Sequence, residues 1–254
     1  MRGGVMMKNL KIAVVVVLLL LLSSFSAQAQ EKISAAVAAN YIAAFKELAA
    51  DFEARTKIKV EGTFSSTGNL YSQITNGAPY DILLSADEQR PAVLYKDGLA
   101  DQPFVYARGK VILWSANKEF CTAKTWRDAL KNEQIKKIAI ANPVTAPYGT
   151  AAQAALQKAG LWDGLQKKLV FGETIAQTFQ YASTSAVDAG FVALSATVSD
   201  EGKKGCFYMI AEAPDIIQSA CLLKRTKNRA AAEQFAAFLS SPDAQKIKAK
   251  FGYR

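Results

Sequence analysis

A run of small hydroxyl side chains is the stretch of this chain whose residue types are best suited to hold a ligand. Ser65, Ser66 and Thr67 are followed by Gly68, and they separate a strand-like segment (58–64) from a short helix-like one. The first N–H groups of a helix have no partner within it and carry partial positive charge. This junction therefore suits an anion. An ordinary N-cap, in which Ser66 or Thr67 bonds only its own helix, is the alternative.

Other junctions between a predicted strand and a predicted helix have the same character. They lie at Asn40, at 148–150 around Tyr148, and at 174–175 around Ile175, which can contribute only its backbone N–H. Facing each other across a cleft, these junctions would surround a tetrahedral anion with uncharged N–H and O–H donors. Such a dry cage replaces the hydration shell of the ion and selects by size. Asn40 as a plain N-cap and Tyr148 as a packing residue remain alternatives.

Composition excludes several kinds of chemistry. The chain of 254 residues has no histidine, which excludes histidine-dependent triads and HExxH metal sites. Neither serine of the run at 65–67 begins an SxxK motif, so we expect no catalytic residues and no enzyme activity. The lysines are scattered and do not alternate with aromatic residues in a stripe, so nucleic acid binding has no supporting motif.

The amino terminus has the pattern of a secretory signal peptide. Arg2, Lys8 and Lys11 precede an apolar run of 11 residues (12–22), and a small-residue site ends at Ala29. The run is too short to cross a bilayer, which needs about 20 residues. We therefore predict a signal peptide at 1–29, cleavage before residue 30 and export, with an uncleaved anchor as the alternative. Removing the leader leaves a net charge of about +6 from the 31 basic and 22 acidic residues of the whole chain.

Three cysteines, Cys121, Cys206 and Cys221, are an odd number for an oxidising compartment. We expect one disulfide and one thiol, and the sequence does not choose the pair.

The order of predicted elements indicates two α/β lobes. Strands and helices alternate from 32 to 98, and a second alternating series follows after two short strands near 104–114. Helices at 229–240 and 242–250 end the chain. We predict a first lobe at 30–107, a second lobe at 108–214, and a return to the first lobe at 215–254. In open α/β sheets, ligands bind outside the carboxyl ends of the strands.

Several segments accompany these junctions, and the block NGAPYDILLSAD at 76–87 is the most specific of them. The others are Ala38-Ala39-Asn40, 64–68, Ile140-Ala141-Asn142-Pro143, Pro147-Tyr148-Gly149, Gly160-Leu161-Trp162-Asp163, 168–170, Gly172-Glu173-Thr174-Ile175, 187–192, Ser241-Pro242 and Phe251-Gly252-Tyr253. In these segments the chain resembles the periplasmic molybdate-binding proteins, the substrate-binding components of ATP-binding-cassette (ABC) importers.

The resemblance implies a type II periplasmic binding protein with a ligand cleft between its lobes. It implies a molybdate or tungstate ligand held through its oxygens, without cofactor or direct metal ligand. It also implies a monomer in the periplasm that delivers the ion to an ABC permease. The ligand positions of the family fall on Asn40, Ser66, Thr67, Tyr148 and Ile175.

Two positions depart from the better-known family pattern. Asn40 stands where a serine is usual, and Ala193 stands where a ligand-contacting tyrosine is common. The N–H or the hydroxyl of Tyr148 is the expected compensation. Asp87 is expected to cap the next helix, since a carboxylate would repel an anion.

Other functions stay open at this point. A binding protein for sulfate or a small organic acid is one, although an organic acid calls for an arginine fork, and only Arg108 lies near the junctions. An exported hydrolase that uses Ser66 is the other, and no base is visible for that serine. The sequence does not separate molybdate from tungstate.

Overall fold

The computed structural model describes residues 31–254, so the predicted signal peptide at 1–29 lies outside the described residues. Within 31–254, no helix combines the length and the apolar character that crossing a membrane requires. The described residues contain two five-stranded sheets. This architecture confirms the prediction of a two-lobed α/β fold.

The first sheet is made by strands from both ends of the described chain. These strands are β1 (Lys32–Ala38), β2 (Lys59–Ser65), β3 (Ile82–Leu84), β4 (Phe104–Gly109) and β10 (Ile216–Leu222). Their order in the sheet is β2-β1-β3-β10-β4, in which β1 runs parallel to β2 and β3, and β10 runs antiparallel to β3 and β4.

The second sheet is made entirely by strands that lie between β4 and β10 in the chain. These strands are β5 (Val111–Ser115), β6 (Ile138–Ala141), β7 (Leu169–Gly172), β8 (Ala189–Ala193) and β9 (Cys206–Met209). Their order in the sheet is β7-β6-β8-β5-β9, in which β6 runs parallel to β7 and β8, and β5 runs antiparallel to β8 and β9.

Helices cover both sheets. Those of the first lobe are α1 (Ile42–Thr56), α2 (Thr67–Thr75), α3 (Gln89–Lys96), α9 (Arg229–Leu239) and α10 (Pro242–Lys250). Those of the second lobe are α4 (Trp126–Lys131), α5 (Pro147–Lys158), α6 (Trp162–Leu165), α7 (Ile175–Ser183) and α8 (Asp200–Lys204). Short 3-10 turns lie at Ala39–Tyr41, Lys118–Thr122, Gln166–Lys168 and Leu194–Val198.

Apolar periodicity explains how the helices dock. In α1, the buried side chains Phe45, Leu48 and Phe52 recur at helical spacing and pack on the first sheet. The helix ends where Lys57 adopts a left-handed conformation and its N–H bonds back to Glu53. The central strands of both sheets are buried on both faces, as expected for parallel strands covered by helices.

The structure settles the cysteine pairing that the sequence left open. Cys121 and Cys206 form a disulfide that joins the Lys118–Thr122 turn to β9 within the second lobe. Cys221 is a buried free thiol on β10.

The two lobes are connected at adjacent points. Lys110 alone separates β4 of the first sheet from β5 of the second, and residues 210–215 return from β9 to β10. Gly109 pairs with Ile216 in the first sheet, which brings both connections together. The lobe limits placed from the sequence at 107/108 and 214/215 stay a prediction.

One helix boundary predicted from the sequence is wrong in a way that affects the site. The sequence predicts a helix from Thr150, but α5 begins at Pro147. Proline has no N–H and a helical φ, so it is favoured in the first turn of a helix. Tyr148 and Gly149 therefore belong to the first turn of α5 and not to a loop.

Candidate anion-binding site

A small cavity lies between the lobes at the carboxyl ends of their strands. The space in it that the centre of a water molecule can occupy is about 10 Å³, so it has room for one small group. Its lining contains all five predicted site residues and no charged side chain. The lining residues are Ala38, Ala39, Asn40, Ser66, Thr67, Ala86, Ala146, Pro147, Tyr148 and Ile175. Two larger grooves of about 600 Å³ on the described surface, unlike the cavity, have charged residues in their linings.

The hydroxyl turn contributes two buried side chains whose acceptor role is already filled by the protein. The Ser66 hydroxyl oxygen accepts the N–H of Asn69 at 3.4 Å, which makes Ser66 the N-cap of α2. The Thr67 hydroxyl oxygen accepts the N–H of Ala86 at 3.0 Å. The hydroxyl hydrogens of both residues remain to be donated. The capping role that the sequence left as an alternative is therefore compatible with a donor facing the cavity.

Three helices begin at the cavity. Thr67, Tyr148 and Ile175 lie in the first turns of α2, α5 and α7. The first N–H groups of a helix have no partner inside it and carry partial positive charge. Within residues 31–254, the N–H groups of these three residues make no hydrogen bond to the protein. The cavity thus collects unpaired amides from both lobes.

Asn40 does not cap a helix, in contrast to one interpretation of the sequence. It lies in the turn 39–41 before α1, and its side-chain amide donates away from that helix. The acceptors are Gln218 Oε1 at 2.8 Å, the hydroxyl of Tyr253 at 3.1 Å and the hydroxyl of Tyr148 at 3.4 Å. The two amide hydrogens are engaged by these three acceptors, so Asn40 can face the cavity as a donor only through its backbone.

Tyr148 has its N–H and its hydroxyl in different places. The N–H lies in the first turn of α5, and the buried hydroxyl reaches the side chains of Asn40 and Gln218, each at 3.4 Å. A Cβ on Gly109 would lie 2.1 Å from that hydroxyl, so only glycine fits beneath it. The sequence analysis offered the N–H or the hydroxyl of Tyr148 as a replacement for the tyrosine contact that is lost at Ala193. Because the hydroxyl contacts Asn40 and Gln218, the geometry favours the N–H as the ligand contact.

Gln218, Tyr253 and Ser195 were missed by the sequence reasoning. They contact Asn40 although they lie far from it in the chain, and no local pattern marks Ser195 or Tyr253. Gln218 is a polar residue in the otherwise apolar start of β10, and this is the sequence signal that could have identified it; the structure buries it fully.

The polar groups around the cavity are neutral. Burial raises the pKa of Tyr148 and Tyr106 well above the ordinary tyrosine value, and it raises the pKa of Tyr253 to about 12. These hydroxyls therefore remain protonated. Asp87 accepts the N–H of Arg90 at 3.0 Å in the first turn of α3 and forms an ion pair with the same residue. Its charge is compensated outside the cavity lining.

This arrangement can hold one small, dry, multiply charged anion by hydrogen bonds from fixed dipoles. Within residues 31–254, no cluster of three or more His, Cys, Asp or Glu residues could bind a metal ion. Five residues were predicted from the sequence to share one site, and all five line the cavity: Asn40, Ser66, Thr67, Tyr148 and Ile175. Their role in binding a ligand stays a prediction.

Comparisons with known proteins agree with this geometry. Residues 33–254 match the family model described as bacterial extracellular solute-binding protein. The molybdate-binding protein ModA of Azotobacter vinelandii is 40% identical over 233 residues, covering 90% of this chain and 91% of the relative. ModA of Rhodobacter capsulatus is 39% identical over 226 residues, covering 87% and 88%.

Solved structures give the same result. The periplasmic molybdate-binding protein of Azotobacter vinelandii superposes with a TM-score of 0.81 at 34% identity, covering 87% of this chain and 98% of the other. The sulfate-binding protein SubI of Mycobacterium tuberculosis H37Rv shares the fold with a TM-score of 0.75 at 15% identity, covering 88% and 86%. The resemblance found in the sequence is confirmed. The chain belongs to the family of bacterial extracellular solute-binding proteins and, within it, to the group of the periplasmic molybdate-binding proteins.

Proposed function

We propose that this protein captures molybdate or tungstate and delivers it to the permease of an ABC importer. The observation that carries the proposal is the convergence of three helix N-termini and two hydroxyls on a cavity without charged lining. The names of the relatives at 39% and 40% identity support the choice of ion.

The donor set supports discrimination among oxyanions. A cage that only donates suits an ion whose oxygens are all acceptors. Phosphate at neutral pH carries a proton, and the O–H would find no acceptor in the lining. Sulfate is fully deprotonated but smaller, so it would leave some of the fixed donors without contact. An organic acid would lack its arginine fork, because no arginine lines the cavity.

The remaining parts of the proposal follow from the same reasoning. The protein binds the ion through its oxygens, without a cofactor, a direct metal ligand or catalysis, and it does not bind nucleic acid. It acts as a monomer in the periplasm after cleavage of its signal peptide. The periplasmic relative supports that location. The permease is the partner that would recognise the closed form.

Elemental analysis and calorimetry test the proposal directly. Protein expressed with its leader and purified from the periplasm is expected to carry molybdenum or tungsten in near-equimolar amount. Ligand-free protein is expected to bind molybdate and tungstate below micromolar concentration, and sulfate and phosphate far more weakly. Uptake of sulfate or a carboxylate in preference to molybdate would overturn the choice of ion. Ester hydrolysis that disappears in Ser66→Ala would instead support an enzyme.

A further inference from the structure

A buried polar cluster adjoins the cavity. We call it the seam cluster, because it contains residues of both lobes. Asn40, Tyr106, Gln218 and Tyr253 come from the first lobe, and Tyr148 and Ser195 come from the second. All six are buried, and none of them is charged. The cavity lining shares only Asn40 and Tyr148 with it.

Tyr253, the penultimate residue, is the centre of the seam cluster. Its hydroxyl donates to the backbone carbonyl of Asn40 at 2.6 Å and accepts the Asn40 side-chain amide at 3.1 Å. It also lies 3.0 Å from Ser195 Oγ, which itself donates to the Asn40 carbonyl at 3.0 Å. One peptide carbonyl of the first lobe is therefore held by a hydroxyl from each lobe.

The terminal segment is positioned for this contact by the strand that leads to the second lobe. Arg108 and Arg254 exchange both backbone hydrogen bonds, at 2.7 and 3.1 Å. The ring of Tyr253 packs edge-on against Tyr41, with centroids 4.9 Å apart. Residues 253–254 are thus fixed beside the connection between the lobes, which is the region that must adjust when the cleft opens.

The bonds to the Asn40 carbonyl bear on the cavity through the backbone of the turn 39–41. This carbonyl belongs to the peptide that joins Asn40 to Tyr41, and a planar peptide moves as one unit. Two hydroxyls that hold this carbonyl on the seam side fix the orientation of the turn 39–41, which contributes Ala39 and Asn40 to the cavity lining. The Ser195 bond crosses between the lobes, so we expect it to break when the cleft opens.

We propose that Tyr253 and Ser195 are positioning residues for the oxyanion site. Their hydroxyls hold the turn 39–41 in the geometry that receives the ion and link that geometry to closure of the lobes. The inference rests on the proposed function, since it concerns how the same site holds its ligand. Neither residue lines the cavity, so they act through Asn40.

Hydroxyl deletions test this role. Tyr253→Phe keeps the ring, and Ser195→Ala removes a single atom. Each is expected to weaken molybdate binding about tenfold, within the range for a lost buried hydrogen bond. In Ser195→Ala the loss is expected mainly as faster dissociation, because the deleted bond belongs to the closed state. The double variant is expected to lose less than the product of the two single effects, because both hydroxyls act on one carbonyl.

Tyr80→Phe is the matched control. Its hydroxyl donates to Gln73 at 2.7 Å within the first lobe, and neither residue lines the cavity, so this variant should lose thermal stability without a change in affinity or dissociation rate. Should Tyr253→Phe not fold, Ser195→Ala tests the other end of the same contact. Wild-type protein that binds molybdate together with both variants binding within twofold of it would overturn the inference alone. Wild-type protein that binds neither molybdate nor tungstate would overturn the proposed function and this inference with it.

Discussion

The backbone N–H of Gly68 donates to the carbonyl oxygen of Thr145 at 2.8 Å, and this bond joins the first lobe to the second beside the cavity. Two side-chain contacts cross the cleft nearby. Asn69 donates to Glu173 at 2.7 Å, and Arg90 donates to the carbonyl of Val144 at 3.0 Å. Because α2 carries both Gly68 and Asn69, closure of the cleft and presentation of the hydroxyl turn depend on the same helix.

Gly68→Ala should hinder closure without altering either lobe. The added Cβ would lie 3.0 Å from the Thr145 Cα and 3.1 Å from its carbonyl oxygen, both of them backbone atoms. The lobes would have to separate by a few tenths of an ångström. We expect molybdate to bind about tenfold more weakly, mostly through faster dissociation, as measured by stopped-flow and calorimetry. Gly164→Ala is the control, because a Cβ there meets nothing within 4 Å. Equal kinetics in the two variants would contradict the prediction.

Ser66→Ala separates the capping role of the serine from its donor role. Loss of the N-cap should cost about 1 kcal/mol of stability. Loss of the hydroxyl donor should in addition weaken molybdate binding about tenfold or more. Ser241→Ala provides the comparison, because Ser241 caps α10 through the N–H of Ala244 at 3.2 Å and does not line the cavity. Urea titrations should show similar losses of stability, and calorimetry should show an affinity loss for Ser66→Ala alone.

Gly109→Ala should damage the site by displacing the hydroxyl of Tyr148. The new Cβ would lie 2.1 Å from that oxygen and 2.8 Å from Gln218 Nε2. We expect a loss of affinity and a lower melting temperature. Combining it with Tyr148→Phe removes the closest clash, so the double variant should bind better than Gly109→Ala alone. A double variant that is as poor as or poorer than Gly109→Ala would show that the hydroxyl is not the group displaced.

Reduction of the Cys121–Cys206 disulfide should affect stability far more than binding. The bridge closes a span of 85 residues within the second lobe and does not line the cavity. Chain-entropy arguments give a stabilisation of about 4–5 kcal/mol for such a loop. The melting temperature should fall sharply with a reductant, while affinity at 25 °C persists. Burial raises the pKa of the Cys221 thiol to about 12, so it should react with thiol reagents only after unfolding.

Alkaline pH should weaken the fold through the buried tyrosines. Burial raises the pKa of Tyr253 from 10.0 to about 12. The protonated Tyr253 therefore contributes its full stabilisation below pH 10. That contribution is lost as the pH rises from 10 to about 12, because over this interval the tyrosine loses its proton in the unfolded chain before it does so in the folded protein. Urea midpoints should fall across this interval, and the fall should be shallower in Tyr253→Phe. Tyr95→Phe, at a half-exposed position, should follow the wild type.

Much of the fold and the position of the cavity could be predicted because the signals are local. The alternation of strands and helices, the small residues at strand ends and the N-cap at Ser66 depend on neighbours in the chain. Parallel strands then place their carboxyl ends at one edge of the sheet, so residues as distant as Thr67 and Ile175 converge without any pairwise signal.

The rest depends on contacts that no local pattern carries. Asn40 resembles an N-cap, but its amide is engaged by Gln218 and Tyr253, which are 178 and 213 residues away. The choice among three cysteines depended on how β9 and the turn at 118–122 meet in space. The early start of α5 was missed because Pro147 was interpreted as part of a loop.

The passage of the chain between the sheets has a consequence for engineering. Every strand of the second sheet lies between Gly109 and Ile216, which are paired neighbours, and Lys110 contacts Asp215 at 2.7 Å beside them. A graft from a relative that selects a different oxyanion therefore needs two splices lying side by side, and the recipient sheet keeps all its strands. Half of a recognition surface can in this way be exchanged as a single cassette while the other half is retained.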